Sequence, residues 1–465
     1  MKTTAQSVGY RGMVGEFVNL SVPVMLRGGL QWLISTIELI WIGMIGSVEV
    51  AAAGVATTLL TFFLAILRIP SVGAISTMSQ LFARGDSESA HRQFKTAVLM
   101  SLFAGVIFAV LVALAGDWVA SFFADQSLAA KVGEYLLGFA WGLPAWGLMP
   151  LVQAGMVTAN NAKLSLYAAT GSAVTFVLFL GLNFAGAFDA AGLSVGLTGI
   201  GVMTSIANWV YVVLAFSFMN SKQANLKWSL TLKAKVTAAD IKAIMATGVP
   251  GSMENIITSF GLNFLLKGMS LSGPEVMHIA SVGLRMLELV WLPFWYLSGM
   301  VTRFMAGKFS TRKLDLTIPA LRVVTSIIII PMILIALLYL AIPDGMLHVI
   351  GRDSSNLTSQ TRWVFILVGF YQSVTVAIMS LSAILRGLTL YTYPMRTQVV
   401  STLISLGFLY VMKDHVGPAV LVSFFVIVGI VQTYVLYRKG ASFAKKECSP
   451  SQTSNQVMNA GGVKA

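Results

Sequence analysis

Four polar residues interrupt the first long apolar run of the chain: Arg27, Gln31, Ser35 and Glu38. Their spacing of i, i+4, i+8 and i+11 keeps them within about 40° of one line on a helix that turns about 100° per residue. They form one polar stripe, and a stripe of this composition facing lipid would be very costly. It must line a wet cavity or an interface between helices. At a rise of about 1.5 Å per residue, Arg27 and Glu38 stand about 16 Å apart, too far to pair directly. Glu38 therefore needs another cation, water or a proton. A carboxylate that exchanges its charge for a proton in such surroundings is the chemistry of a proton carrier; one permanently hydrogen-bonded to its helix neighbours is the alternative.

A second set of charges, Glu254, Lys267, Arg285 and Glu288, falls within apolar spans of the second half. Arg285 and Glu288 stand three residues apart, the spacing of an ion pair on a helix surface, and Glu254 and Glu288 are further candidate coupling acids. Lys267 lies near a helix end, from which it can snorkel to the interface. Glu254 lies near the middle of its span, where it is either a gate or substrate contact in a central cleft, with Arg27 as its partner, or half of an ion pair within its own part of the chain. Trp291 and Tyr371 supply aromatic faces on which flat or cationic organic groups can stack. The four histidines (His91, His278, His348, His415) form no metal-binding pair, and Cys448 is the single cysteine, so neither a disulfide nor a metal centre is expected.

The elements that position these residues are membrane helices. The 465 residues are 56% apolar and 11% charged, with a mean hydropathy of +0.80, far from the composition of a soluble domain. Twelve apolar spans are long enough to cross a bilayer: 14–42, 50–80, 92–116, 130–157, 163–187, 196–218, 238–271, 274–306, 315–342, 360–386, 393–413 and 416–437. The net charge of +13 is confined to alternate loops, such as "ARGDSESAHRQFK" and "GKFSTRKLD", whereas "GSVEVAAAG" and "GAFDAAGLS" are neutral or acidic. This is the positive-inside pattern. It predicts an inner (cell) membrane protein with both termini cytoplasmic, whose partners are the lipid bilayer and a small molecule and not nucleic acid. A monomer is expected. No nucleophile with its base, and no cofactor motif, marks the chain as an enzyme.

The two halves resemble each other. "LSVPVMLR" (Leu20–Arg27) matches "TGVPGSME" (Thr247–Glu254), with Pro23 on Pro250 and Arg27 on Glu254, and further on Pro70 falls on Pro293. An offset of about 225 residues gives a parallel repeat of two six-helix bundles. The expected divisions are an N-terminal bundle over 1–218, a linker over 219–238, a C-terminal bundle over 239–438 and a disordered tail over 439–465. Pro23, Pro70, Pro250 and Pro293 each remove a backbone hydrogen bond inside lipid and mark hinges or cavity-facing bends.

The ordered segments "LSVPVML", "STIELIWIGMIGSVEVAAAGVA", "STMSQLFARGDSESAHRQ", "IANWVYV", "TGVPGSMENI" and "AILRGLTLYTYPM" resemble the multidrug and toxic compound extrusion (MATE) family over roughly residues 14 to 437. That resemblance implies cation-coupled antiport of organic small molecules by alternating access. Glu38 falls where the family usually has an aspartate implicated in coupling, and Glu254 where many members carry a seventh-helix glutamate. Two departures stand out. The fifth span has no acid at the family's usual position, with Asn183 the nearby polar residue, and Thr375 stands about where sodium-coupled members carry an aspartate. A hard cation wants several oxygen ligands, so protons are favoured over sodium. A flippase of lipid-linked saccharides from the wider superfamily is the competing reading, kept open by Arg27, Arg68 and Arg285.

Overall fold

The computed structural model describes residues 10–121, 126–159, 161–190, 196–221, 236–270, 276, 297–310, 314–343 and 359–447. Among the described residues every regular element is a helix: α1 (Tyr10–Ile45), α2 (Ser47–Leu67), α3 (Ile69–Ala83), α4 (Ser87–Ser121), α5 (Gln126–Ala140), α6 (Leu143–Thr158), α7 (Ala162–Phe184), the single turn α8 (Ala187–Ala190), α9 (Leu197–Met219) and α10 (Ala238–Ser270). A helical stretch over 297–309 follows, and then α11 (Leu314–Ala341), α12 (Ser359–Gly387), α13 (Thr392–Met412) and α14 (Pro418–Glu447). Each of the twelve spans of the sequence holds helix among the described residues, where eight helices, or nine with α5 and α6 as one bent span, are long and apolar enough to cross a membrane; this is consistent with an all-α, twelve-helix layout. Side chains such as Phe103 and Leu114, 70% and 82% exposed, show which face of α4 meets hydrocarbon.

Two spans are each built from two helices. The second breaks at Arg68, where Pro70 occupies the first turn of α3; proline has no N–H to give the preceding turn and is at home at a helix start. The fourth breaks between α5 and α6 with a bend of 51°, and Pro144 opens α6 in the same way. Pro23 and Pro250, in contrast, lie inside uninterrupted helices.

The chain packs as two compact units, Val22–Ser252 and Met1–Ser21 with Met253–Ala465. The divisions expected at 218 and 239 therefore move: α1 changes unit just before Pro23 and α10 just after Pro250. Local chemistry explains both. In the first unit, Thr237 and Asp240 cap the start of α10 reciprocally, each backbone N–H reaching the other's side chain at 3.2 Å. The Asp240 carboxylate also accepts from Arg92 Nε at 3.0 Å and Gln93 Nε2 at 3.1 Å of α4, and Thr247 Oγ1 donates to the Gly73 carbonyl of α3 at 3.2 Å. In the second unit, Glu16 pairs with Lys308 at 2.7 Å and the Phe17 and Phe304 rings meet edge-on at 5.2 Å.

The second unit is centred on α12, which packs against α11 and α14 around Val364, Val368, Leu421, Val422 and Phe425. The disordered tail expected from residue 439 is corrected in part. Helix α14 continues to Glu447 because Gly440 and Ala444 extend the buried line begun by Leu436. The remainder, 448–465, lies outside the described residues, as does most of the linker expected over 219–238.

Candidate functional site

Glu38 sits on α1, 7% exposed, among the apolar side chains of Ile34, Trp41, Ile42, Leu136 and Met203. Two hydroxyls reach it. Tyr135 of α5 donates to its Oε1 at 2.8 Å, and Thr204 of α9 donates to the same oxygen at 3.0 Å. Both donors are neutral, so the carboxylate can exist in either protonation state without leaving a partner charge behind.

The hydroxyls are held in place by the contact between α5 and α9. Gly138 on α5 and Gly142, in the break just after it, face Gly201 and Ser205 on α9: a Cβ at Gly201 would stand 2.9 Å from the Gly138 carbonyl carbon, and one at Gly142 2.5 Å from Ser205 Oγ. Small residues four apart let helix backbones touch in lipid. Two side chain to backbone bonds close the seam, Ser205 Oγ to the Gly138 carbonyl at 3.0 Å and Thr198 Oγ1 to the Glu134 carbonyl at 2.9 Å. Tyr135 lies three residues before Gly138, and Thr204 three after Gly201. The seam therefore fixes the distance between the two donors.

At the other end of the stripe Arg27 is 2% exposed. Its Nη1 donates to Gln153 Oε1 of α6, and its guanidinium lies 4.7 Å from the centre of the Tyr211 ring, whose hydroxyl is bonded to Ser165 Oγ at 2.9 Å. Between the ends, Gln31 is half-buried and Ser35 exposed, with the Ser35 hydroxyl turned back to the Gln31 carbonyl at 3.2 Å. Both termini of the stripe are thus anchored inside one unit.

In the other unit Glu254 is buried and accepts from Arg386 Nη1 at 2.8 Å. Of the two arrangements open to Glu254 in the sequence, the structure records this ion pair within its own part of the chain. One turn further along α10, Thr258 helps to line a small cavity, about 30 Å³ for a water-sized guest, together with Tyr371, Thr375, Gln398 and Gln432. The two glutamines bond to each other at 2.7 Å. Asn183 lies half-buried in the last turn of α7 and is not among the donors to Glu38. Glu288, Trp291 and Pro293 lie outside the described residues.

Tyr135, Thr204, Gln153 and Arg386 escaped the sequence reading. The first two sit in unremarkable apolar runs, but "GFAWG" (Gly138–Gly142) and "GVMTS" (Gly201–Ser205) are paired small residues four apart, a legible sign of a tight helix contact.

The MatE family model matches residues 23–184, which include Glu38 and Tyr135. The probable multidrug resistance protein NorM of Thermotoga maritima is 21% identical over 299 residues, 63% of this chain and 63% of that protein. Protein DETOXIFICATION 16 of Arabidopsis thaliana is 23% identical over 336 residues, 70% of this chain and 68% of that one. Among solved structures, a MOP superfamily transporter from Pyrococcus furiosus shares the fold with a TM-score of 0.82 at 17% identity, covering 96% of this chain and 99% of that chain. A multidrug resistance MATE family transporter in an outward-facing conformation gives 0.78, also at 17%, over 96% of this chain and all of the other. With its helices in this order and Glu38 on the segment that the family model matches, the chain is similar to the multidrug and toxic compound extrusion (MATE) transporters in sequence over residues 23–184 and shares their fold.

Proposed function

We propose that this protein is a proton-coupled antiporter that exports organic small molecules across the cell membrane by alternating access, with Glu38 as the coupling acid. The observation that carries this is the setting of Glu38: a carboxylate enclosed by apolar side chains and held by two neutral hydroxyls. Antiport requires proton and substrate to favour different states of the transporter, because a ligand that binds both equally drives nothing. A proton arriving at Glu38 removes a buried charge and so changes the energy of α1 against α5 and α9. One carboxylate suffices for a proton, whereas a hard cation stripped of water asks for several oxygens, which favours protons over sodium. Relatives named as probable multidrug resistance proteins support organic cargo. The basic loops support cytoplasmic termini.

The decisive experiment uses proteoliposomes with an imposed pH gradient. Glu38→Gln copies the protonated carboxyl, so it should insert normally and yet lose gradient-driven transport to background. Glu38→Asp should retain part of the rate. Uphill transport by Glu38→Gln at near the parental rate would refute the assignment.

A further inference from the structure

Helix α14 outlasts the membrane. Crossing the hydrocarbon takes about 20 residues, which Pro418–Tyr437 supply, and the helix then runs on from Arg438 to Glu447. Its inner face there is small and apolar. Gly440 faces Leu385 and Leu388 at the end of α12, Ala444 is fully buried, and the Phe443 ring lies 6.0 Å from that of Phe309. The extension is therefore a packed part of its unit.

Its outer face carries Arg438, Lys439, Lys445 and Lys446, all exposed. The two pairs are seven residues apart, two helical turns, and so lie on one side. Aromatic rings hold the first pair: Arg438 lies 5.7 Å from the centre of the Tyr434 ring and Lys439 5.2 Å from that of Tyr393. Arg396, one turn after Tyr393 on α13, is exposed as well. Tyr434 is 58% exposed and Tyr437 36%, and tyrosines of this kind mark the boundary between hydrocarbon and headgroups. Arg438 and Lys439 thus stand at headgroup depth. At about 1.5 Å per residue Lys445 and Lys446 rise about 12 Å beyond Tyr437, still within reach of the leaflet's field at a screening length of about 8–10 Å.

We propose that this basic face is a binding surface for the anionic phospholipid headgroups of the cytoplasmic leaflet, and that it pins the ends of α12, α13 and α14 to the membrane. The proposal uses the orientation read from the loop charges and is independent of which acid couples transport. A loop rich in lysine would serve orientation equally well. Here the cations are instead fixed to one side of a packed helix, and the first two lie over tyrosine rings, which is an arrangement for contact. Each lysine or arginine at a leaflet surface brings about a fivefold gain in affinity.

The test is native mass spectrometry of the full chain in detergent, offered equal amounts of phosphatidylglycerol and phosphatidylcholine, with inorganic phosphate as a third arm. The parent should retain phosphatidylglycerol at least about tenfold over phosphatidylcholine, and added salt should erode the preference. The combined variant Arg438→Gln, Lys439→Gln, Lys445→Gln, Lys446→Gln should lose it while keeping the parental elution profile. Arg84→Gln with Lys163→Gln, exposed basic residues of the other unit, should leave it unchanged. The proposal is overturned by equal retention of the two lipids, by loss of preference in the Arg84 and Lys163 control, or by full displacement of lipid by inorganic phosphate. A combined variant that no longer elutes as the parent is replaced by Lys445→Gln with Lys446→Gln, which lie over no aromatic ring among the described residues and should lower retention severalfold; unchanged retention there also overturns it.

Discussion

Glu38 and Glu254 are both glutamates on proline-containing long helices, both almost free of solvent contact, and they are held in opposite ways. Two neutral hydroxyls hold Glu38; a guanidinium holds Glu254. Taking the charge off Glu38 leaves its neighbours content. Taking the charge off Glu254 removes the carboxylate from the Arg386 guanidinium, which is 11% exposed at its side chain, in a place where losing one half of an ion pair is expensive. Burial alone therefore does not make a buried acid a proton carrier. The partner decides: one unit surrounds its acid with neutral hydroxyls and the other ties its acid to a guanidinium.

The largest effect on stability should come from the fixed pair. Glu254→Ala is expected to cost about 3–5 kcal/mol, the range for breaking a buried pair from one side, and thermal unfolding in detergent would measure it. Exchanging the charges, Glu254→Arg with Arg386→Glu, should recover a good part of that loss. Glu38→Ala should cost less, since it leaves no charged partner behind. Equal losses from Glu38→Ala and Glu254→Ala would remove the distinction altogether.

Next in size is the α5–α9 seam. Gly201→Ala places a methyl against the α5 backbone, and overpacking of this kind typically costs about 1–3 kcal/mol. Because the same contact sets the Tyr135 and Thr204 hydroxyls over Glu38, transport should fall further than stability. A variant that is destabilised yet transports at the parental rate per folded molecule would uncouple the seam from the acid.

Smaller again is the removal of one donor. Tyr135→Phe keeps the ring packing and deletes a single hydrogen bond, worth about 1 kcal/mol or roughly a fivefold change in an equilibrium. Transport at a fixed pH gradient should slow by about that factor, with little change in unfolding temperature. No change in rate would sharpen the comparison by leaving Thr204 as the donor that matters.

The smallest effect calibrates the pair against an acid in water. Asp86 lies in the turn before α4, where the Ser89 backbone N–H, 3.1 Å from Oδ1, and the Ser89 hydroxyl hold its carboxyl below the usual range. Its contribution is present above the carboxyl's ordinary titration range and is lost as pH falls through its folded value. Asp86→Ala should lower the unfolding temperature slightly at neutral pH, and the gap should close in acid.

Much of this was legible beforehand. Glu38 announces itself by standing alone in an apolar run, and Pro70 announces the broken second span. The partners were hidden because Tyr135 and Thr204 lie 97 and 166 residues away from Glu38 in sequence, in stretches whose hydropathy matches their surroundings. The unit boundaries were hidden for another reason. A repeat in sequence marks equivalent helices, but contacts such as Asp240 with Arg92 and Glu16 with Lys308 decide which bundle a helix end joins. The continuation of α14 to Glu447 looked like a charged tail because its buried line consists of glycine and alanine, residues that carry almost no hydropathy signal.

The touching backbones of α5 and α9 also constrain how this protein can change over time. At Gly142 and Ser205, where an added Cβ would stand 2.5 Å from the serine hydroxyl oxygen, volume is a shared quantity: a lineage that enlarges one residue must shrink or shift the other. These positions should vary together or not at all, whereas the lipid-facing residues one or two places away drift independently. An aligned set of descendants would thus carry the imprint of the Glu38 setting in residues that never touch its carboxylate.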